Sequence, residues 1–170
     1  PYGSMTAAGL LSFIRTRLNS DVRKPSVEIE IEKAFKWICN NFQVYRNPGM
    51  NDNQRAKGLY YYYYTLALAL ASYEEIRTTP KGRIITGPGQ PTIFWFQKLA
   101  KALVAQKIVN SVVVTQNIPN PVDPNKPIFH TGDNVDLAYW RNSNSGWMER
   151  DTVLTTACAN LALEAGIGTD

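Results

Sequence analysis

The sequence predicts an all-α protein in which an inner layer of buried helices is covered by an outer layer of amphipathic helices. Two observations lead to this fold class. Five segments have helical character, and in chain order they alternate between apolar on all sides and amphipathic, as repeated helical hairpins do. The three apolar segments also share a pattern of threonine, alanine and leucine around Thr6, Thr65 and Thr156, which indicates an internal repeat.

Composition sets the limits on class. With 170 residues, 44% of them hydrophobic, the chain is long enough for a single domain over residues 1–170. The net charge of +4 comes from scattered lysines and arginines without a basic run, so nucleic acid is not an expected partner. No apolar stretch approaches the roughly 20 residues of a membrane span, and no transmembrane segment is expected. Cys39 and Cys158 lie in separate apolar helical contexts, which predicts buried free thiols.

The first two segments form the first predicted hairpin. Residues 4–14, "SMTAAGLLSFI", are apolar or small nearly all round and predict a buried helix. The second segment is amphipathic and begins at Ser26, a predicted N-cap after Pro25. Its start, "VEIEIE", also alternates as a strand does, so the helical pattern is unambiguous only from Glu32 on. Its apolar stripe consists of Val27, Ile31, Ala34, Phe35, Trp37, Ile38 and Phe42.

Five consecutive tyrosines, residues 60–64, open the third segment. Successive side chains point about 100° apart on a helix, so no single face could bury all five. A strand is an alternative, because tyrosine favours sheets and Leu66, Leu68 and Leu70 alternate. The length and alanine content of the segment favour a helix. We therefore predict an inner helix, with some rings packed on outer helices and the rest facing whatever the inner layer encloses.

The remaining elements complete the predicted alternation. An amphipathic helix is predicted from about Pro91 to Ile108, and a helix that is apolar nearly all round from Val153 to Ala165. The segment of about 107–135 lies between these two helices. It contains four prolines, which predict one long proline-rich loop. Such a loop is a lid, a contact surface or a partly disordered segment, and we favour a contact surface.

Five stretches carry a family resemblance: "YGSMTAAGLLSFI", "WICNNF", "NPGM", "GLYYYYYTLALAL" and "YWRNSNSGWMERDTVLTTACANLALE". Together they resemble the bacterial prenyltransferase and squalene oxidase repeat proteins, relatives of squalene–hopene cyclases in the α/α-toroid superfamily. The resemblance covers nearly the whole chain except about 107–135. It implies a partial toroid of inner and outer helices, and an isoprenoid in the central cavity of its enzymatic branches. We expect a C-terminal portion of a longer protein, with other subunits or the remaining chain covering the flanks of the inner helices.

The resemblance also implies a structural motif. Squalene-cyclase relatives carry a repeated glutamine–tryptophan motif that ties successive repeats together. Its counterparts here are Gln106 and Trp140, with Trp147 close behind. The sequence departs from the family pattern in spacing, because about thirty residues separate Gln106 from Trp140 where the family has a short turn.

The candidate ligand-binding residues are Tyr60, Tyr63 and Tyr64, whose ring faces suit an isoprenoid or another lipid. Related protein prenyltransferases hold zinc with a histidine in an aromatic–His–Thr stretch, and Tyr64 stands at the matching position. A tyrosine must lose a proton with a pKa of about 10 before it can bind zinc, so we expect neither a metal nor another cofactor.

Glu149 and Asp151 precede the last inner helix and are the candidates for a catalytic acid. The D-x-D-D motif of class II terpene cyclases does not occur in the sequence. Both residues are expected to be ionised helix caps, because the helix dipole favours a negative charge there. We therefore favour a non-catalytic domain that binds an apolar ligand or a partner protein. The alternatives are a terpene cyclase whose acids lie outside this chain and a structural subunit of a larger assembly.

Overall fold

A computed structural model describes residues 1–19, 24–54, 56–77, 81–84, 91–118, 128–143 and 148–167. Within these ranges the protein is mostly helical, with five α-helices, two single-turn 3-10 helices and one two-stranded antiparallel sheet. The predominantly helical fold class is confirmed, and the small sheet is an addition that the sequence did not predict. The α-helices are α1 (Gly3–Leu18), α2 (Pro25–Asn41), α3 (Leu59–Arg77), α4 (Trp95–Gln106) and α5 (Thr152–Ile167).

The starts of helices α2 and α4 differ from the predicted ones for identifiable physical reasons. Helix α2 begins at Pro25, so Ser26 lies inside the first turn and is not the N-cap. Proline suits this position because its fixed φ is helical and its missing N–H would have no partner there. Helix α4 begins at Trp95 rather than near Pro91, because Ile93 exchanges backbone hydrogen bonds of 2.7 and 2.9 Å with Ile84 and is therefore extended.

Helices α1, α3 and α5 lie side by side, with α3 packed between the other two. Gly3 at the start of α1 packs against Tyr62 in the first turn of α3, and Glu149, just before α5, accepts hydrogen bonds from Leu59 and Tyr61 there. The three helices therefore begin at the same end and run parallel. At the other end of the layer, Arg17 of α1 and Arg77 of α3 both pair with Glu28 of α2, at 2.7 and 3.0 Å.

Helices α2 and α4 run antiparallel to this layer and cover the same side of α3. Near the end of α3, the Tyr73 ring stacks on Phe35 of α2 with centroids 3.7 Å apart. One residue further, the Glu74 carboxylate accepts a 2.5 Å hydrogen bond from the Trp95 indole at the start of α4. The core between the layers includes Leu10, Ile14, Ile31, Ile38, Leu66, Leu70, Leu99 and Leu103. Among the described residues, no helix has both the length and the apolar character needed to cross a membrane.

The residues predicted to form one long loop contain a β-hairpin. Strands β1 (Ile108–Ile118) and β2 (Ile128–Tyr139) pair antiparallel, with an irregularity between Val113 and Thr115. The loop prediction for 107–135 was wrong at both ends, because β1 is rich in valine, isoleucine and threonine, which favour extended backbone. The prolines that suggested a loop all lie in 119–127, outside the described residues.

Candidate functional site

The tyrosine run divides between two sides of α3. Tyr60, Tyr62 and Tyr63 are buried, whereas Tyr61 and Tyr64 are half-buried. Tyr60 and Tyr63 are three residues apart and therefore share a helix face, where their rings meet edge to face with centroids 5.6 Å apart. Three of the five rings are thus surrounded by the protein's own core.

A chain of hydrogen bonds joins the buried hydroxyls to α4. Tyr60 donates to Gln106 Oε1 at 3.0 Å, Gln106 Nε2 donates to the Tyr63 oxygen at 3.2 Å, and Tyr63 donates to the carbonyl of Val44. Burial raises the pKa of Tyr63 to about 12, against the lowering effect of the Gln106 hydrogen bond. Both hydroxyls of this network are therefore neutral and already bonded within the chain.

Tyr64 is the predicted ligand residue that the structure places at a partly open surface. It lies on the side of α3 turned away from Leu66 and Leu70, with half-buried Leu68 one turn later. On the neighbouring helix α5, Leu154 and Leu161 are exposed. We call Tyr64, Leu68, Leu154 and Leu161 the inner face. It offers one aromatic ring and three aliphatic side chains, which suits contact with an apolar partner or ligand.

Glu149 lies beneath the first turn of α3, although it precedes α5 in sequence. Its carboxylate accepts hydrogen bonds from the backbone nitrogens of Leu59 at 3.0 Å and Tyr61 at 2.8 Å, and from Asn142 Nδ2 at 2.7 Å. Burial raises the pKa of Glu149, although these donors oppose the shift. That direction is the reverse of the expectation for an ionised cap, because burial outweighs the donors. Both oxygens nevertheless already accept hydrogen bonds, from the start of α3 and from Asn142.

Asp151 is exposed and caps its own helix. One carboxylate oxygen accepts hydrogen bonds from the backbone nitrogens of Val153 at 2.8 Å and Leu154 at 3.3 Å. These are the donors that the first turn of α5 would otherwise leave unpaired. The capping interpretation of Asp151 therefore agrees with the structure.

Gln106 is the last residue of α4, and the side chain of Trp140 contacts the same end of that helix in space. The Trp140 indole donates to the carbonyl of Leu103 at 2.8 Å, and its backbone nitrogen donates to Thr156 Oγ1 of α5 at 3.1 Å. Gln106 joins α4 to α3, so the two predicted motif residues link three helices. Trp147 lies outside the described residues.

Asn47 is a buried residue that the sequence analysis missed. Its Oδ1 accepts a hydrogen bond from the backbone nitrogen of Ser4 at 3.0 Å, and its Nδ2 donates to Ser4 Oγ at 3.0 Å. Asn47 therefore pairs a backbone N–H group at the start of α1, as Glu149 does at the start of α3. We say that each side chain closes its helix. The turn after Asn47 depends on Gly49, whose φ of 81° favours glycine. An asparagine directly before Pro-Gly is the signal that could have identified this turn.

No known protein family matches the chain, and no characterised protein or solved structure is significantly similar to it. Within the described ranges, no three histidine, cysteine, aspartate or glutamate side chains are grouped as a metal site would require. Cys39 and Cys158 are buried and free, as predicted. The structure defines a two-layer helical protein.

Proposed function

We propose that the protein is a non-catalytic repeat module of the squalene-cyclase-like type that binds a partner protein through the flanks of its inner layer. The observation that supports this proposal most directly is the apolar surface of α5. Val153 is 79% exposed and Ile167 is 68% exposed, and Leu154 and Leu161 are also exposed between them. Single exposed apolar residues are ordinary, but a series along a whole helix is typical of an interaction surface.

Helix α1, at the opposite edge of the layer, has the same character. Its exposed apolar residues are Met5, Phe13 and Leu18, the last 60% exposed. In a toroid of inner and outer helices, further inner helices would cover both edges. The partner would therefore supply the remaining part of a larger helical assembly that continues the two layers.

The placement of the acids supports a non-catalytic role. A catalytic acid has to reach the substrate with the proton that it donates. Glu149 and Asp151 instead direct their oxygens at the backbone of α3 and α5.

Site-directed photocrosslinking tests the proposal in the cells from which the sequence comes. A photoreactive amino acid replaces Val153, and a matched control replaces Val104, which is 61% exposed on α4 outside the flanks. We expect a discrete protein adduct from position 153 and none from position 104. No adduct at 153, or the same adducts at both positions, would contradict partner binding through α5.

The inner face favours a second candidate function, the binding of an apolar ligand such as a linear isoprenoid. Tyr64 is half-buried there, and it is the predicted ligand residue whose ring is not enclosed by the core. Purified protein should then take up squalene saturably, with weaker uptake after Tyr64→Ala and unchanged uptake after Tyr45→Ala, a change at an exposed tyrosine elsewhere. Cyclic products in the extracts would instead support the terpene cyclase alternative.

A further inference from the structure

We infer that the partner of the flanks is a second copy of this chain, bound head to tail, with α5 of one protomer packed against α1 of the next. This inference rests on the proposed function, because it names the partner for the same surfaces. It follows from the packing of the inner layer, from the equal length of the two helices and from their opposite charges.

The inner layer already shows the kind of contact that the second copy would make. Helix α3 packs against α1 on one side and against α5 on the other, with the N-terminal ends of neighbouring helices together. Helix α5 has such a neighbour only on its α3 side, and α1 likewise, within the part of the chain that the structure describes. A second copy that continues the layer in the same parallel sense would place its α1 beside α5.

The exposed apolar residues of the two helices match in height. Helices α1 and α5 each contain 16 residues. Met5 and Leu154 are both the third residue of their helix, and Leu18 and Ile167 are both the last. At about 1.5 Å of rise per residue, parallel helices with aligned ends would bring each pair to the same level.

The charges of the two helices are complementary. Helix α1 contains Arg15 and Arg17 and no acidic residue, whereas α5 contains Glu164 and no basic residue. Arg15 is the thirteenth residue of α1, and Glu164 is the thirteenth residue of α5. Both are exposed, so a parallel contact with aligned ends would bring them to the same level. A parallel α5–α5 contact would instead bring two glutamates to the same level, and a parallel α1–α1 contact two arginines, which disfavours these two pairings.

Sedimentation velocity of the full chain over a range of concentrations tests the inference. The wild type should self-associate, and Val153→Asp should weaken the association roughly tenfold or more, because it would bury an unpaired charge. Val104→Asp makes the same change at an exposed valine of α4 and should leave association unchanged. Circular dichroism should show the same helix content for both variants, since both positions are exposed.

Charge reversal identifies which helices meet. Arg15→Glu and Glu164→Arg should each weaken association roughly threefold to tenfold, because each brings like charges to the same level of the contact. The double variant with both changes should regain it, and so should an equal mixture of the two single variants. Single variants that associate like the wild type, or a double variant that does not recover, would overturn the α5–α1 contact.

The crosslinking at position 153 separates failure of this inference from failure of the proposed function. An adduct of twice the mass of one chain supports the second copy. An adduct of any other mass, together with a wild type that stays monomeric at every concentration, overturns the second copy and leaves the proposed function standing. Absence of any adduct contradicts both.

Discussion

Oε1 of Glu149 accepts a 2.8 Å hydrogen bond from the backbone nitrogen of Tyr61, which lies 88 residues earlier in the sequence. The first turn of α3 is therefore bonded by a side chain from the segment directly before α5. Asn47 does the same for α1 through its 3.0 Å hydrogen bond from Ser4. Helix α5 is instead capped by Asp151, the residue directly before its own first turn. The starts of α1 and α3 are thus each bonded by a residue from the segment that leads to the next helix of their layer.

Replacement of Glu149 should destabilise the fold, and this effect can be measured without an activity assay. In Glu149→Gln one acceptor oxygen becomes a donor that faces other N–H groups, so we expect a loss of about 2 kcal/mol in the free energy of unfolding. Asp151→Ala removes only an exposed cap and should cost about 1 kcal/mol. Urea denaturation followed by circular dichroism measures both. Equal losses for the two variants would count against the buried role of Glu149.

The Tyr63–Gln106 hydrogen bond should appear as coupling in a double-mutant cycle. Tyr63→Phe and Gln106→Ala should each cost about 1–2 kcal/mol, because each leaves buried polar groups without partners. The double variant should cost less than the sum by at least about 0.5 kcal/mol, since both changes break the same network. Tyr64→Phe serves as the control and should change the free energy of unfolding by no more than about 0.5 kcal/mol. Strict additivity would show that the network is not formed.

Alkaline pH should unfold the protein as its buried phenols ionise. Burial raises the pKa of Tyr63 to about 12 and raises the pKa values of Tyr60 and Tyr62 as well. Their contribution to stability is full below the unfolded pKa of about 10 and is lost as the pH rises from there through about 12. We expect the ultraviolet signal of ionised tyrosine to grow together with the loss of helical circular dichroism. Complete ionisation near pH 10 with intact helices would contradict this.

Two glycines of α1 should respond oppositely to alanine. A Cβ at Gly3 would lie 2.5 Å from Pro48 Cδ and 2.8 Å from the Tyr62 ring, so Gly3→Ala should cost about 1–3 kcal/mol. A Cβ at Gly9 would meet nothing within 4 Å, so Gly9→Ala should stabilise the monomer by up to about 1 kcal/mol through helix propensity. Thermal unfolding at low protein concentration compares the two. A stabilising Gly3→Ala would mean that the start of α1 is packed differently.

The protein should be isolated without stoichiometric zinc. The expectation rests on the tyrosine at position 64, since a neutral phenol is a poor zinc ligand. Elemental analysis of purified protein should find far less than one zinc per chain, and a chelator should leave the thermal midpoint unchanged. About one zinc per chain that is lost after Tyr64→Phe would overturn the expectation.

Local patterns predicted the helices well, and the Asp151 cap with them, because their partners lie within one or two turns. The orientation of the tyrosines was not predictable in the same way. A helix that is apolar on all sides has no polar face to fix its rotation, so Tyr63 and Tyr64 could not be told apart. The structure resolves them through Gln106, which lies more than 40 residues from Tyr63 in sequence.

Long-range partners also explain the other differences. Glu149 was grouped with Asp151 because the two are neighbours, but its hydrogen bonds run to the first turn of α3. The β-hairpin was missed because the prolines of 119–127 outweighed the β-branched residues of β1 in the prediction. Strand pairing joins Ile108 to Tyr139, a distance in sequence that no short pattern encodes.

The closing of α3 by Glu149 has a consequence for the order in which the protein is made. A ribosome completes residues 59–77 long before it reaches Asn142 and Glu149. The backbone N–H groups at the start of α3 therefore lack the Glu149 carboxylate as acceptor during most of synthesis. We expect a nascent chain released before residue 142 to keep this helix dynamic and open to proteolysis, while α1, which needs only Asn47, is already closed. Translation would therefore stabilise the start of α1 first and the start of α3 later, each when the segment before the next helix of the layer has been made.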